Sequence, residues 1–211
     1  DLPTLEEGLK MGLWKQEIPD YPPAMASFFE DPEANPLMTP SGKIEIYSPR
    51  LQEYAETWEL DDPRESINPL PVYTPGVESW EDVTEEYPLV LTGWHPKQRS
   101  HSTYGGVEIL NDAVVQQLWI NPIDANERGI ANGDMVRVFN QRGEIQISAR
   151  VTPRIIPGVV GMPEGAWLDA EFVDGRLIDK GGNINVLTGR HWSPIAKHNP
   201  SHNSIAQVEK L

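Results

Sequence analysis

The sequence predicts a small β-barrel carrying short helices, preceded by an extended, proline-rich segment, and three observations predict it. Twenty prolines and seventeen glycines in 211 residues punctuate the chain too often for long helices. From Tyr87 onward, strand-like runs alternate with turn signals at a spacing of about 8–12 residues, as in sandwiches and barrels. Residues 1–88 hold 20 of the 32 acidic and 5 of the 17 basic side chains, so the net charge of −15 sits there and the remainder is neutral. The chain thus divides into two segments with different compositions, at about residues 1–85 and 86–211.

In the first segment, "PDYPPAMASFFEDPEANPL" and "DDPRESINPLPVYTPGVESWEDVTEEYP" place a proline in nearly every possible element. "GKIEIY" (42–47) alternates apolar and polar residues and predicts one short strand. "SPRLQEYAETWEL" (48–60) predicts a short helix with Ser48 as N-cap and Pro49 in its first position. Such a segment is expected to wrap another surface; the sharper alternative is an acidic dock for a basic partner.

The second segment is more regular. "YPLVLTGWH" (87–95) and "VVQQLWINP" (114–122) read as strands, the latter stopped by Pro122. "NPIDANERG" (121–129) reads as a helix with Asn121 as N-cap, Pro122 in its first turn and Gly129 at its end. Gly133 and Asp134 turn the chain into "MVRVFN", and "NQRGE" is a hairpin turn in which Gly143 is expected at positive φ. "EIQISARVT", "PGVVGMPEG" and the terminal "IAQVE" supply further strands. Ile123, Ile130, Val136, Val138 and Ile145 are the expected core of the 121–145 stretch.

Several function classes fall away. No run approaches the roughly 18–20 apolar residues of a membrane span, and no basic n-region with an apolar h-region opens these residues, so no signal peptide is expected within them. An acidic chain is a poor binder of nucleic acid. Without cysteine there is no disulfide, thiolate or iron–sulfur ligation here. Neither GxSxG nor SxxK is present, so no catalytic residue is assigned. No metal ligand is assigned either: Pro200 separates His198 from His202, and no acidic residue lies between His95 and His101.

Two stretches remain. "LTGWHPKQRSHSTYGG" (91–106) sets two histidines, a lysine, an arginine, hydroxyls and a glycine pair after a strand and before a helix expected near Val107. These groups suit an anion held by backbone N–H groups and a guanidinium, or an ordinary basic loop facing the acidic segment. "GGNINVLTGRHWSPIAKHNPSHNS" (181–204) is rich in Asn and His, whose side chains make directional hydrogen bonds to heterocycle edges or, equally, build Asx turns.

"TPSGKIEIYS" (39–48), "WINPIDANERGIANGDMVRVFNQRGEIQISARVTPRIIPGVV" (119–160), "EGAW" (164–167), "INVLT" (184–188) and "AKHNPSHNS" (196–204) resemble the C-terminal part of molybdopterin oxidoreductases of the dimethyl sulfoxide reductase family, nearest to the catalytic subunit of the anaerobic, membrane-anchored type. The resemblance implies a six-stranded double-psi β-barrel over 86–211 that binds a molybdopterin guanine dinucleotide. Residues 1–85 would be the tail of the preceding domain. It also implies cofactor-binding roles for Thr92, Gly93, His95, Arg99, His101, Ser102, Asn185, Asn199, His202 and Asn203.

In the whole enzyme the cofactor would be molybdenum-bis(molybdopterin guanine dinucleotide), with a [4Fe-4S] cluster in the upstream part. The partners would be the rest of the catalytic subunit, an iron–sulfur electron-transfer subunit and a membrane anchor subunit. The reaction would be oxygen-atom transfer from S- or N-oxides or selenate in anaerobic respiration, on the periplasm-facing side of the cytoplasmic membrane. The family's molybdenum ligand and cluster cysteines lie upstream, so these residues alone are not expected to be active. The alternatives are a non-catalytic nucleotide- or partner-binding barrel and a purely structural cap.

Overall fold

The computed structural model describes residues 2–15, 17, 23–199 and 202–211; Pro200, between His198 and His202, lies outside them. The chain divides into two compact units, Asp1–Ser48 and Pro49–Leu211.

The first unit owes its structure to local hydrogen bonding. Helix α1 (Leu5–Met11) begins with a capping box in which the Thr4 side chain accepts from Glu7 N and Glu7 Oε2 accepts from Thr4 N at 2.9 Å. The Thr4 hydroxyl, donating to Glu7 Oε2 at 2.7 Å, and then the Thr4 N–H hold the Glu7 carboxyl below the ordinary carboxylate range. No residue of α1 or of α2 (Ala26–Glu30) is buried. The strand expected at "GKIEIY" does not form. Gly42, at φ +68, closes a turn with Thr39 and Leu37, and Ile44 and Ile46 are exposed. A two-sided alternating segment with no neighbouring strand has nothing to pair with.

The second unit is the barrel with its approach. Helix α3 (Pro49–Thr57) starts on Pro49 as expected. After a 3-10 turn at Trp80–Asp82, β1 (Leu89–Trp94) enters the sheet, followed by α4 (Glu108–Ala113), β2 (Leu118–Ile120) and α5 (Pro122–Glu127). The sheet continues with β3 (Met135–Phe139), β4 (Glu144–Val151), β5 (Val159–Pro163), β6 (Ala170–Val173), β7 (Arg176–Asp179) and β8 (Ser204–Lys210). The order β2-β5-β1-β8-β3-β4 closes on itself through β2–β4 pairing, giving a six-stranded barrel of the class the sequence predicts. Within the barrel two pairings are parallel: β1 with β5, in register from Val90↔Val159 to Trp94↔Pro163, and β2 with β4. Period-2 alternation sends Leu89, Leu91, Val136, Val138, Ile145, Ile147, Val160, Met162 and Val208 into the interior.

Two details differ from expectation. Ile123 is 57% exposed: Asn121 caps α5 through the Ile123 N–H, and that start turns Asp124 and Ala125, not Ile123, toward the barrel. Gly143 is not left-handed; glycine is needed there because a Cβ would come within 2.6 Å of Val186 Cγ1. Beyond the barrel, β6 and β7 form a hairpin on the edge of β4. Its two-residue turn, Asp174–Gly175, has φ of 50° and 79°.

Candidate functional site

Parallel pairing of β1 and β5 brings their C-terminal ends out side by side, so the residues that follow, His95 and Glu164, become neighbours. The Glu164 N–H donates to the Trp94 carbonyl at 2.9 Å, extending the register by one step. His95 Nε2 then lies 3.0 Å from Glu164 Oε1. The 95–107 loop folds back so that His101 Nδ1 lies 2.8 Å from the same oxygen, while His202, just before β8, puts Nε2 3.9 Å from Glu164 Oε2. The rings of His95 and His101 meet edge-on at 5.2 Å.

Close approach of backbones makes this possible. Gly165 has φ +78, and a Cβ on it would overlap the His101 carbonyl. At Gly93 a Cβ would come within 3.0 Å of His202 Nδ1, so the bare backbone lets that imidazole lie over β1. His101 is itself left-handed at φ 50. Trp167 covers Gly105, where a Cβ would lie 2.5 Å from the indole Nε1, and donates that N–H to the Ser102 carbonyl at 2.8 Å.

Arg99 underpins the arrangement. Its Nε and Nη2 donate to the Glu164 carbonyl at 3.1 and 2.7 Å, and Nη2 also donates to Gln116 Oε1 at 2.9 Å. Gln116 in turn donates to the carbonyls of Pro163 and Gly182. Burial lowers the Arg99 guanidinium from its ordinary value and the Glu164 charge opposes this; an arginine stays cationic regardless. The Glu164 backbone is therefore fixed from behind by a cation, with its carboxylate turned to three imidazoles.

A cleft of about 170 Å³ opens here, lined by His101, Ser102, Glu164, Gly165, Ile184, Asn185 and His202. A second, of about 190 Å³, lies across the 164–167 ridge and is lined by Arg99, Gly105, Asn111, Gln116 and Trp167 among others. Asn185 is presented by the 3-10 turn Ile184–Val186, which Asp179 secures: its carboxylate accepts from the N–H groups of Asp169, Gly181 and Asn183 at 2.6–3.0 Å. A larger groove of about 460 Å³ between α5 and β8 is lined by Glu127, Arg128 and Gln207–Lys210 and holds none of the expected residues.

The structure thus gathers His101, Ser102, Asn185 and His202 around one cleft, with His95 beside it on Glu164, Gly93 under the His202 ring, Arg99 behind it and Thr92 on β1 beside Gly93. Asn199 and Asn203 do not line it: Asn199 Oδ1 accepts from the His191 N–H, and Asn203 packs against Gly76. Sequence reasoning missed Glu164, Gln116 and Trp167. The donor set fits the cofactor the resemblance implies: imidazoles, a hydroxyl, an amide and a carboxylate for heterocycle edges, with a guanidinium alongside and a glycine floor that a Cβ would obstruct.

The family described as "Molydopterin dinucleotide binding domain" matches residues 89–205. The whole chain is 56% identical to the dimethyl sulfoxide reductase DmsA of Escherichia coli K12, of which it covers 26%. It is 34% identical over 99% of its length to a dimethyl sulfoxide/trimethylamine N-oxide reductase of Cereibacter sphaeroides, covering 25% of that protein. The chain therefore spans about a quarter of the length of these relatives. Among solved structures, acetylene hydratase from Pelobacter acetylenicus shares the fold, with a TM-score of 0.63 over 86% of this chain at 22% identity.

Proposed function

The chain belongs to the molybdopterin dinucleotide-binding domain family, and on that premise we propose that its barrel forms one wall of the cofactor site in a reductase of S- and N-oxides. The observation that carries the reading is the convergence, inside the matched span, of the 95–107 loop, the 163–167 segment and the 184–186 turn at the ends of two parallel strands. Each cleft is smaller than the roughly 300 Å³ at which small-molecule sites begin. The barrel therefore offers one face of the site, and the rest of a longer polypeptide supplies the other.

Within that site the side chains divide by chemistry. Ser102, Asn185 and the imidazoles of His95, His101 and His202 meet heterocycle edges, and Glu164 accepts from ring N–H groups. Arg99 supplies the positive field for phosphate, in a segment of the chain that is otherwise neutral. Thr92 and Gly93 form the floor, and the amides of Asn199 and Asn203 would reach ligand atoms beyond the cleft. When bound, the molybdenum cofactor supplies the redox and atom-transfer chemistry; the protein's share is to hold and orient it.

The bis(guanine dinucleotide) form of the cofactor, an upstream [4Fe-4S] cluster, iron–sulfur and membrane-anchor partner subunits and an envelope location all belong to this proposal. Among the described residues no helix is long and apolar enough to cross a membrane.

The test is cofactor retention in the native polypeptide that carries these residues. Arg99→Ala and Asn185→Ala each remove one hydrogen-bonding group and are expected to weaken retention roughly tenfold. Full cofactor loading accompanied by lost subunit assembly would instead favour a structural cap.

A further inference from the structure

The side chains at the β1 and β5 termini have a geometry that cofactor binding does not require. His95 Nε2, His101 Nδ1 and a Glu164 carboxylate oxygen lie within 4.8 Å of one another, and the oxygen is 3.0 and 2.8 Å from the two nitrogens. Two imidazoles and a carboxylate form a common donor set for a divalent transition metal, bound at about 2.0–2.2 Å, which places neighbouring donors of a tetrahedron roughly 3.3–3.5 Å apart. The two histidine–glutamate separations need to open by only about half an ångström for an ion to take the place of the imidazole protons, while the two imidazole nitrogens, within 4.8 Å of each other, close toward the same spacing.

We propose that in the cofactor-free protein His95, His101 and Glu164 bind one divalent transition-metal ion of the zinc class, with water completing the shell. The sequence hides such a site because its carboxylate comes from the residue after β5, 63 positions beyond His101. Three further features support it. The Glu164 side chain is only 15% exposed, and among the described residues the ion-pair partners of its carboxylate are imidazoles, with the Arg99 charge acting from the backbone side. Arg99 binds the Glu164 carbonyl, which fixes the ligand's backbone while leaving its carboxylate to the imidazoles. His101 holds a left-handed backbone at φ 50 beside Gly165, and strain of that kind persists where the surroundings impose one side-chain position. The inference needs only this chain's own side chains and is independent of the cofactor reading.

The experiment uses the native polypeptide without a histidine tag, purified from cells unable to make the molybdenum cofactor and stripped with a chelator. Zn²⁺ is added, bound metal is counted after gel filtration, and affinity is read by titration calorimetry. The expected result is one equivalent more zinc in the wild type than in His101→Ala or Glu164→Gln. His101 is 73% exposed, so its truncation leaves no buried void and keeps the test valid if the Glu164 variant folds poorly. Equal stoichiometry and affinity in the wild type and His101→Ala would overturn the proposal. Because no cofactor is present, either outcome leaves the retention experiment above to stand or fall separately.

Discussion

Gly165 and Gly133 both sit at positive φ, at 78° and 92°, yet they carry different loads. At Gly133 an added Cβ meets nothing within 4 Å, so Gly133→Ala costs only the backbone strain, about 1 kcal/mol. At Gly165 the same Cβ overlaps the His101 carbonyl, and either the 95–107 loop or the 163–167 segment must move. Gly165→Ala is expected to cost about 2–4 kcal/mol and to lower the melting temperature clearly more than Gly133→Ala. Equal shifts in the two would show that the loop does not press on this ridge. The same residues show how far a sequence reaches at this scale. His95, His101, Ser102 and Asn185 could be named because the family resemblance that implies their roles rests on local motifs. Glu164, Gln116 and Trp167 could not, because their importance comes from contacts 17 to 65 positions away.

At the scale of elements, two carboxylates fasten the ends of the sheet in different ways. Asp179 is fully buried and accepts three backbone N–H groups, those of Gly181 and Asn183 on the way from β7 into the Asn185 turn and that of Asp169 at the entry to β6. Asp179→Ala leaves those donors unsatisfied and is expected to cost about 2–4 kcal/mol in chemical denaturation. Asp134, immediately before β3, is half-buried and bonded to Lys210 Nζ at 2.7 Å and to the Ala131 N–H at 2.8 Å. The Lys210 ammonium, then the Ala131 N–H, hold its carboxyl below the ordinary carboxylate range. Its pKa is lower folded than unfolded, so its contribution is complete above the unfolded value and is lost as the pH falls through the folded one. Asp134→Asn should therefore lower the melting temperature at neutral pH and converge with the wild type in acid; a constant difference would refute this. Most strands were readable from period-2 alternation, whereas the β6–β7 hairpin was not. Its strands are short, β6 is exposed throughout, and only the Asp174–Gly175 pair signals the turn. "GKIEIY" failed in the opposite sense: alternation is present, but pairing is a property of neighbours that the segment lacks.

Over the whole molecule, the fold class follows from turn spacing and alternation, while barrel closure rests on β2–β4 pairing, which spans residues 118–151 and no local pattern encodes. All of the net −15 lies before residue 89, and the half that carries the clefts is neutral, with Arg99, His95 and His101 on the loop beside them and His202 just before β8. A neutral, histidine-rich rim suits an anionic ligand better than the acidic half does. The central claim is that this rim holds a molybdopterin dinucleotide, and the most direct measurement is a structure of the cofactor-loaded native polypeptide. The account predicts pterin or phosphate atoms within about 3.5 Å of Ser102, Asn185 or His101. A cofactor lying wholly clear of the 95–107 loop, the Glu164 ridge and the Asn185 turn would contradict it.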